Sequence, residues 1–166
     1  MIINTIIIDD FLDNPDAVRQ SVLTLEFNGT GSFPGVRSDR PEKDYELYVQ
    51  EKIEGILNCR ITEWSQDSFR FQLCISKDET WVHKDDGEWA GVLYLTPDAP
   101  AESGTGIYRE SNNDWELITA IGNVYNRLVL YRSNLFHKSI VPGFGNDINT
   151  GRLTQVLFFK TEDYHG

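Results

Sequence analysis

The amino-acid sequence predicts an α+β fold in which two helices precede a β-rich barrel or double-sheet roll. Two early segments have apolar residues at helical spacing, and short strand-like segments separated by Gly- and Pro-rich turns fill the rest of the chain. The 166 residues, of which 40% are hydrophobic and 12% aromatic, suit one packed domain. We therefore expect a single domain over 1–166, with an N-terminal strand and supporting helices in 1–60 and the β-roll core in 61–160.

The first part of the chain contains clear start signals for regular structure. Ile2–Ile8 is rich in β-branched residues and predicts a buried strand. Asn14 suits the N-cap of a helix whose first residue is Pro15. Asn28–Pro41 is dense in Gly, Ser and Pro, which predicts a loop. Apolar residues at helical spacing then predict a second helix over Glu42–Leu57.

The remainder of the sequence predicts about eight strands, because β-branched and aromatic residues recur between turn clusters. The predicted strands are Ile61–Trp64, Phe69–Ile75, Thr80–Lys84, Glu88–Thr96, Thr105–Arg109, Arg127–Tyr131, Leu135–Val141 and Leu153–Lys160. The segment Pro97–Gly104 is predicted to be a long loop, and the residues from Tyr108 to Asn126 are predicted to connect two strands of the roll.

Charge and cysteine content limit the classes of partner. The formal net charge of −11 argues against nucleic acid, which requires a basic surface, and is typical of a solvated acidic protein. Cys59 and Cys74 are too few for a disulfide framework or a four-cysteine zinc site, so we expect two reduced thiols. No apolar segment approaches the length of a membrane span, and the first strand lacks the basic leader of a signal peptide. We expect a cytoplasmic protein with no membrane partner.

Two of the three histidines are candidates for metal ligation. His83 and Asp85 lie two residues apart in a predicted strand, which places them on one face and Lys84 on the other. An exposed, hydrogen-bonded pair at a strand end would have the same pattern. His137 follows a strand and a turn, and a neighbouring strand could bring it to the pair, although a hydrogen-bonded core histidine is the alternative. Two imidazoles and one carboxylate are the ligand set of non-haem iron(II) oxygenases. His165 is predicted to lie in a frayed tail.

Arg152 begins the last predicted strand, and alternation places Thr154 on the same face. A guanidinium that points into an apolar roll requires an anionic partner. Iron(II) with one carboxylate and two neutral imidazoles has one net positive charge, so the dianion 2-oxoglutarate together with Arg152 would make the site neutral. A guanidinium can also bind a carboxylate with two parallel hydrogen bonds. An ordinary salt bridge to one of the many acidic residues is the alternative for Arg152.

The order of these motifs resembles a known family. His-x-Asp, then "GVLYLT", "SGTGIYR", "RLVLYRSNLFHKS" and "GRLTQVLFF" follow one another as in the prolyl 4-hydroxylase-like branch of the 2-oxoglutarate/iron(II) dioxygenases. The resemblance covers about Phe69 to Phe159, and "IIIDDFLDNPDAVRQSV" is similar to the first strand and helix of such proteins. It implies a double-stranded β-helix (jelly-roll, cupin-like) core with N-terminal helices packed against it.

The resemblance also implies roles for individual residues. The His-x-Asp pair and His137 correspond to the iron(II) ligands, and Arg152 corresponds to the residue that anchors 2-oxoglutarate. Thr154 matches a small hydroxyl residue two positions after that anchor. Tyr94 stands where related hydroxylases have a tyrosine that hydrogen-bonds the same carboxylate. With O2 as the second cosubstrate, the expected co-products are succinate and CO2.

The expected function is hydroxylation of a peptidyl, possibly prolyl, or free amino-acid substrate. Loop residues that could contact such a substrate are Arg37, Arg40, Tyr108, Arg109 and Trp115, although solvated loop positions are the simpler interpretation of each. Two other functions remain open from the sequence. One is a cupin-like domain with another metal, such as a zinc hydrolase or isomerase, and the other is a binding module without catalysis.

Overall fold

A computed structural model describes residues 1–163 of the chain, and His165 lies outside this range. The described residues form two α-helices, α1 (Pro15–Val22) and α2 (Lys43–Leu57), and a short 3-10 helix, Ala101–Ser103. Their eleven strands are β1 (Thr5–Ile8), β2 (Phe27–Gly29), β3 (Val36–Ser38), β4 (Cys59–Trp64), β5 (Phe71–Cys74), β6 (Trp89–Tyr94), β7 (Thr105–Ser111), β8 (Asp114–Ile121), β9 (Leu128–Arg132), β10 (Phe136–Ser139) and β11 (Arg152–Asp163). No helix in this range is long and apolar enough to cross a membrane.

The strands form two antiparallel sheets, which confirms the predicted double-sheet arrangement. The larger sheet has the order β1-β9-β6-β11-β5-β3-β2, with β4 also paired to β11. The smaller sheet has the order β10-β7-β8. Strand β11 is the centre of the larger sheet because its 12 residues are long enough to pair with β5, then β4, along one edge and with β6 along the other.

Both predicted helices are present and pack on one face of the larger sheet. The α1 start is as predicted, since the Asn14 side chain accepts a hydrogen bond from the backbone N–H of Ala17 at 3.1 Å and Pro15 is the first helical residue. Helix α2 buries Val49 and Ile53 completely, in the same apolar cluster as sheet residues such as Leu157. The helices therefore cover the outer face of the sheet and leave its other face to the smaller sheet.

Side-chain alternation along β11 separates the core from the cavity between the sheets. Leu153, Leu157 and Phe159 belong to the cluster that contacts the helices. The intervening residues Arg152, Thr154, Val156 and Phe158 line a cavity on the opposite face. A strand that is apolar on one face thus carries a charged group into the interior on the other.

The prediction that Asn28–Pro41 is a loop is wrong. The segment contains most of β2 and all of β3, and β3 pairs with β5 through Val36 and Leu73. The Gly and Ser residues that favoured a loop instead form the turn between these two strands, where Gly35 has a positive φ of 68°. The N-terminal part of the chain therefore adds three strands to the larger sheet, counting β1.

The prediction of a strand over Thr80–Lys84 is also wrong. Only His83 forms a bridge, and it pairs with His137. The ladder stops there because the backbone N–H of Asp85 bonds the carbonyl of Ser133 at 2.9 Å, whereas a continued ladder would bring it opposite Leu135. The chain turns at the point where the candidate ligands lie.

The predicted connection between Tyr108 and Asn126 contains an additional strand, β8. It forms a hairpin with β7 across Asn112 and Asn113, whose φ angles of 51° and 66° are positive at both central positions. This is the geometry of a two-residue hairpin turn that matches strand twist, and Asn is one of the residues that tolerates it.

Asn126 ties the segment after β1 to the β-roll, and its removal tests this connection. Its side chain accepts from the Leu12 N–H at 2.8 Å and donates to the Leu12 carbonyl at 2.9 Å. We expect Asn126→Ala to leave both buried groups without these partners, at about 1–3 kcal/mol each. The free energy of unfolding from urea titration should fall by about 3 kcal/mol more than in Asn113→Ala.

Asn113 is a matched control because it is exposed and has a φ of 66°, close to the 62° of Asn126. In both variants alanine replaces an asparagine, which tolerates the left-handed region better, so this backbone cost is matched and the loss of the buried Asn126 amide contacts is compared. Equal destabilisation of the two variants would show that the Asn126 amide contributes nothing.

Candidate metal centre

A backbone pair brings two histidines from distant parts of the chain together. The N–H of His83 donates to the carbonyl of His137 at 3.0 Å, and the N–H of His137 donates to the carbonyl of His83 at 2.9 Å. The two rings consequently lie side by side, with centroids 4.4 Å apart. The same β10 strand pairs with β7 on its other edge, which holds His137 opposite Ile107.

Asp85 lies beside the two imidazoles although the strand pairing ends at His83. Its N–H bonds the Ser133 carbonyl, and the Ser133 hydroxyl donates to the carbonyl of Gly87 at 2.7 Å. The carboxylate oxygens then lie 3.7 Å from Nε2 of His83 and 3.1 Å from Nε2 of His137. One ligand atom from each of the three residues lies within 4.8 Å of the others, a spacing that could hold a metal ion.

Hydrogen bonds on the far side of each ring assign the protons. Nδ1 of His83 lies 2.9 Å from the carbonyl of Trp81, and Nδ1 of His137 lies 2.9 Å from the carbonyl of Leu135. A carbonyl can only accept, so Nδ1 carries the proton and a neutral ring has its lone pair on Nε2. Both lone pairs then face the Asp85 carboxylate, which is stable only with a proton or a cation between them. The donor set therefore fits a metal ion whose ligands have ordered outer partners.

The cluster is buried on one side and open on the other. His137 is only 3% exposed and packs against the Tyr131 ring at a centroid distance of 4.5 Å. The His83 side chain keeps 35% of its surface exposed. Lys84 points away from the cluster, as predicted, with its ammonium 4.1 Å from the centroid of the Phe136 ring. Access is thus from the His83 side.

Arg152 lines the same cavity as the three candidate ligands, and it is 6% exposed. Among residues 1–163 its only side-chain hydrogen bond goes from Nε to the carbonyl of Ser103, at 2.9 Å, and it forms no ion pair. The terminal nitrogens of the guanidinium have no hydrogen-bond partner among residues 1–163. Thr154, 1% exposed, lines the cavity on the same face, as alternation predicted.

The cavity between the sheets has a volume of about 80 Å³ and opens towards a cleft of about 1000 Å³. Tyr94 does not line either of them. Its hydroxyl lies 2.6 Å from Oγ1 of Thr105, and Thr105 is the residue of this pair that lines the cavity. The hydrogen bond from Tyr94 to a bound carboxylate therefore stays a prediction, and the structure places the threonine hydroxyl between the tyrosine and the cavity.

Of the five predicted substrate-contacting residues, Arg37 alone lines these two spaces. Arg40 pairs with Glu46 at 2.7 Å. Trp115 packs against Phe136 with ring centroids 4.6 Å apart. The other two, Tyr108 and Arg109, lie in β7, where Arg109 pairs with an exposed glutamate at 2.6 Å.

Two titratable groups of the cavity wall, Cys74 and Tyr131, are neutral. Burial raises the pKa of the Cys74 thiol, and the nearby Arg152 offsets only part of this effect. Burial likewise raises the pKa of Tyr94, and it raises the pKa of Tyr131 well above its ordinary value. Both cysteines are free and buried, in agreement with the prediction of two thiols. The charges at the cavity are carried by Asp85 and Glu79 and by Arg37, Lys138 and Arg152.

A model of a family of unknown function, DUF6445, matches residues 109–159, the segment that contains His137 and Arg152. No curated protein matches the sequence.

Solved structures are much more informative about the fold. A prolyl-4-hydroxylase from Pseudomonas putida aligns over 96% of this chain and 93% of its own, with a TM-score of 0.59 and 15% identity. A prolyl hydroxylase from Trichoplax adhaerens, solved with a hypoxia-inducible-factor peptide, aligns over 94% and 83%, with a TM-score of 0.59 and 15% identity. HygX from Streptomyces hygroscopicus, solved with nickel, 2-oxoglutarate and hygromycin B, aligns over 93% and 81%, with a TM-score of 0.65 and 11% identity.

These similarities confirm the predicted fold. The chain has the double-stranded β-helix of the iron/2-oxoglutarate dioxygenases, with two helices on the larger sheet. Identities of 15% and below show the fold alone, so activity and substrate are a separate question.

Sequence reasoning missed several side chains of the cavity wall, including Tyr131 and Thr105. Tyr131 was predicted to lie in a strand but was not assigned to the site, although alternation with the buried Leu130 places it on the cavity face. Thr105 was likewise the first residue of a predicted strand. Nothing local distinguishes a hydroxyl at a cavity from one at the surface, so only the sheet pairing could have identified Thr105.

The raised pKa of Cys74 predicts a loss of stability at alkaline pH. Its folded pKa lies above the unfolded value of about 8.5, so the stabilisation is complete below that pH and is lost as pH rises. We expect the free energy of unfolding of the wild type to decrease with pH from about 8 to 9.5, by at most about 1.4 kcal/mol per pH unit for this group. Cys74→Ala should have a shallower slope in urea titrations, and an unchanged slope would contradict the assignment.

Proposed function

We propose that this protein is a 2-oxoglutarate- and iron(II)-dependent dioxygenase that hydroxylates an amino-acid substrate, either peptidyl, possibly prolyl, or free. The observation that carries the proposal is Arg152, a buried guanidinium without an ion-pair partner among residues 1–163, in one cavity with the His83–Asp85–His137 cluster. A cavity that offers a cation site beside an unpaired cationic side chain fits an anion that can contact both.

The three clustered residues would hold the iron, His83 and His137 through Nε2 and Asp85 through its carboxylate. Arg152 would bind the far carboxylate of 2-oxoglutarate, with the Thr154 hydroxyl beside it. When bound, iron(II) and 2-oxoglutarate supply the O2-dependent oxidation that yields succinate, CO2 and a hydroxylated product. The residues of the chain provide the positions and the electrostatic environment for this chemistry.

The protein contributes most by fixing the donor atoms in advance. The carbonyls of Trp81 and Leu135 hold the two rings in the tautomer whose Nε2 faces the cavity. The Ser103 carbonyl holds the Nε side of the guanidinium, which leaves its terminal nitrogens for a carboxylate. Preformed groups of this kind do not need to reorganise when the cosubstrate binds.

The cavity wall also restricts water. Apolar or neutral side chains surround the charged groups, including Val92, Val156 and the neutral Tyr131. A low-dielectric surrounding strengthens the attraction between Arg152 and a carboxylate. The open side at His83 faces the larger cleft, which is the place for a substrate. The cytoplasmic location expected from the sequence stays a prediction.

The first test measures metal-dependent turnover and uses a substitution at a neighbouring residue as its control. Anaerobic addition of iron(II) and 2-oxoglutarate to the wild type should give a visible charge-transfer band, and O2 should then give slow succinate formation without substrate. We expect Asp85→Ala to weaken iron binding by more than about 100-fold, because loss of even an outer partner of a ligand costs about 10–100-fold. Calorimetric metal titration measures this effect.

Asp86→Ala is the matched control, since Asp86 is the next residue, also acidic and exposed. It should bind iron as the wild type does. A folded wild type that gives neither the absorption band nor succinate would contradict the proposed function.

Arg152 distinguishes a 2-oxoglutarate enzyme from a cupin-like enzyme with another metal. Removing one partner of a buried charge pair costs about 2–5 kcal/mol, so we expect Arg152→Gln to raise the KM for 2-oxoglutarate by about 30-fold or more. Iron affinity without 2-oxoglutarate should be unchanged. Arg109→Gln, at an exposed arginine of β7, should alter neither value. An unchanged KM would show that Arg152 does not bind 2-oxoglutarate. A zinc hydrolase or isomerase would not require Arg152, and a wild type that binds metal but does not turn over 2-oxoglutarate would favour that alternative.

A further inference from the structure

A second buried arginine, Arg37 of β3, lies at the junction of the cavity and the larger cleft. It is 8% exposed and lines both spaces, as do His83 and Asp85. Its strand pairs with β5, which in turn pairs with the strand that carries Arg152. The two arginines therefore approach the candidate metal centre from the same sheet, and Arg37 is the one that reaches the entrance.

Neighbouring side chains hold the Arg37 guanidinium in one place. Its Nε donates to Oε1 of Gln72 at 2.8 Å, and Nε2 of Gln72 donates to the carbonyl of Pro34 at 3.0 Å, which orients the amide. The guanidinium carbon lies 3.9 Å from the centroid of the Phe33 ring, a stacked cation–π contact. A side chain fixed by a buried amide and an aromatic ring has little rotamer entropy left to lose when it binds an anion.

The charge of Arg37 is only partly compensated within the described residues. Its one ion-pair contact is to Asp67 at 3.9 Å, and that carboxylate is 57% exposed. Asp67 also lies 3.5 Å from Nε of Arg70, so its charge is shared. Burial lowers the pKa of Arg37, while Asp67 and Asp85 raise it, and a guanidinium remains charged throughout the physiological range.

The sum of charges at the site shows whether the positive charge of Arg37 has a counter-charge. Iron(II), Asp85, the 2-oxoglutarate dianion and Arg152 together make a neutral set under the proposed function. Glu79 and Lys138 also line the cavity, and their opposite charges offset each other in this count. Arg37, whose acid partner Asp67 is shared with Arg70, adds a positive charge at the side from which a substrate would enter. A substrate without an anionic group would leave that buried charge poorly compensated, at an energetic cost.

We propose that Arg37 binds a carboxylate of the substrate and thereby selects substrates that carry one near the hydroxylated carbon. This inference rests on the proposed function and narrows its substrate class. The carboxylate can be the α-carboxylate of a free amino acid or the side-chain carboxylate of an acidic residue in a peptide. Both sources offer the planar pair of oxygens that matches the two ends of a guanidinium.

The test measures binding without turnover. Protein loaded with manganese(II) and saturating 2-oxoglutarate is titrated calorimetrically with the twenty L-amino acids as free acids and as primary amides. A second arm uses acetylated, amidated peptides that contain Asp or Glu against the same peptides with Asn or Gln. We expect at least one acid to bind about 30-fold or more tightly than its amide, and the arm in which this occurs identifies the source.

Variants then assign the preference to Arg37. Arg37→Gln should remove most of the preference for the acid while the affinity for 2-oxoglutarate and manganese stays unchanged. Arg37→Lys keeps the positive charge but lacks the planar guanidinium, so it should retain an intermediate preference for the acid. If the glutamine variant does not fold, the lysine variant provides the test. Arg109→Gln is the control, since Arg109 lines neither space.

Three results would overturn the assignment. The first is a wild type that binds 2-oxoglutarate normally and prefers no acid over its amide. The second is an unchanged preference in Arg37→Gln. The third is a loss of 2-oxoglutarate affinity in that variant, which would place Arg37 in the cosubstrate site. A wild type that does not bind 2-oxoglutarate with metal present would instead remove the proposed function, and this inference with it.

Discussion

The geometry of the candidate centre depends on one backbone pair, the two hydrogen bonds exchanged by His83 and His137. These bonds join residues that are 54 positions apart and set which side chains of β10 face the cavity. A shift of one residue in this pairing would turn the His137 ring to the opposite face, since side chains alternate along a strand. β10 is itself paired to β7, so the smaller sheet as a whole determines where the second imidazole lies. The metal-binding arrangement is therefore a property of sheet register more than of any local motif.

β11 connects this centre to the stability of the fold. Its outward residues, such as Leu157, complete the core beneath the helices, while Arg152 and Thr154 face the cavity. Burial of a guanidinium with one carbonyl partner is unfavourable, and a core optimised only for stability would have an apolar residue at this position. The apolar face of the same strand offsets that cost. A local conflict of this kind, tolerated within an otherwise consistent strand, is characteristic of a functional position.

The sequence was sufficient to predict the elements whose signals are local. The Asn14 cap, the second helix and the alternation of Arg152 with Leu153 follow from spacing and propensity, and the structure agrees. The sequence was insufficient where long-range strand pairing determines the position of a side chain. Arg37 stood in a Gly-rich segment, and only the pairing of β3 with β5 makes it a buried wall residue. The proximity of His83 and Asp85 was predicted from strand alternation, but the ladder ends at His83 and the Asp85 N–H bonds the Ser133 carbonyl.

The charge distribution of the molecule supports the view that the two arginines act locally. With a formal net charge of −11, the protein as a whole repels a dicarboxylate. At physiological ionic strength, however, charges in solvent are screened beyond about 8 Å, so acids farther than this from the cavity contribute little to the potential inside it. Buried charges are screened far less, and the neutral wall of Cys74 and Tyr131 adds no negative charge there. An anion at the entrance therefore meets two buried arginines, Arg37 and Arg152, together with acids such as Glu79 and Asp67 that line the cavity and the cleft.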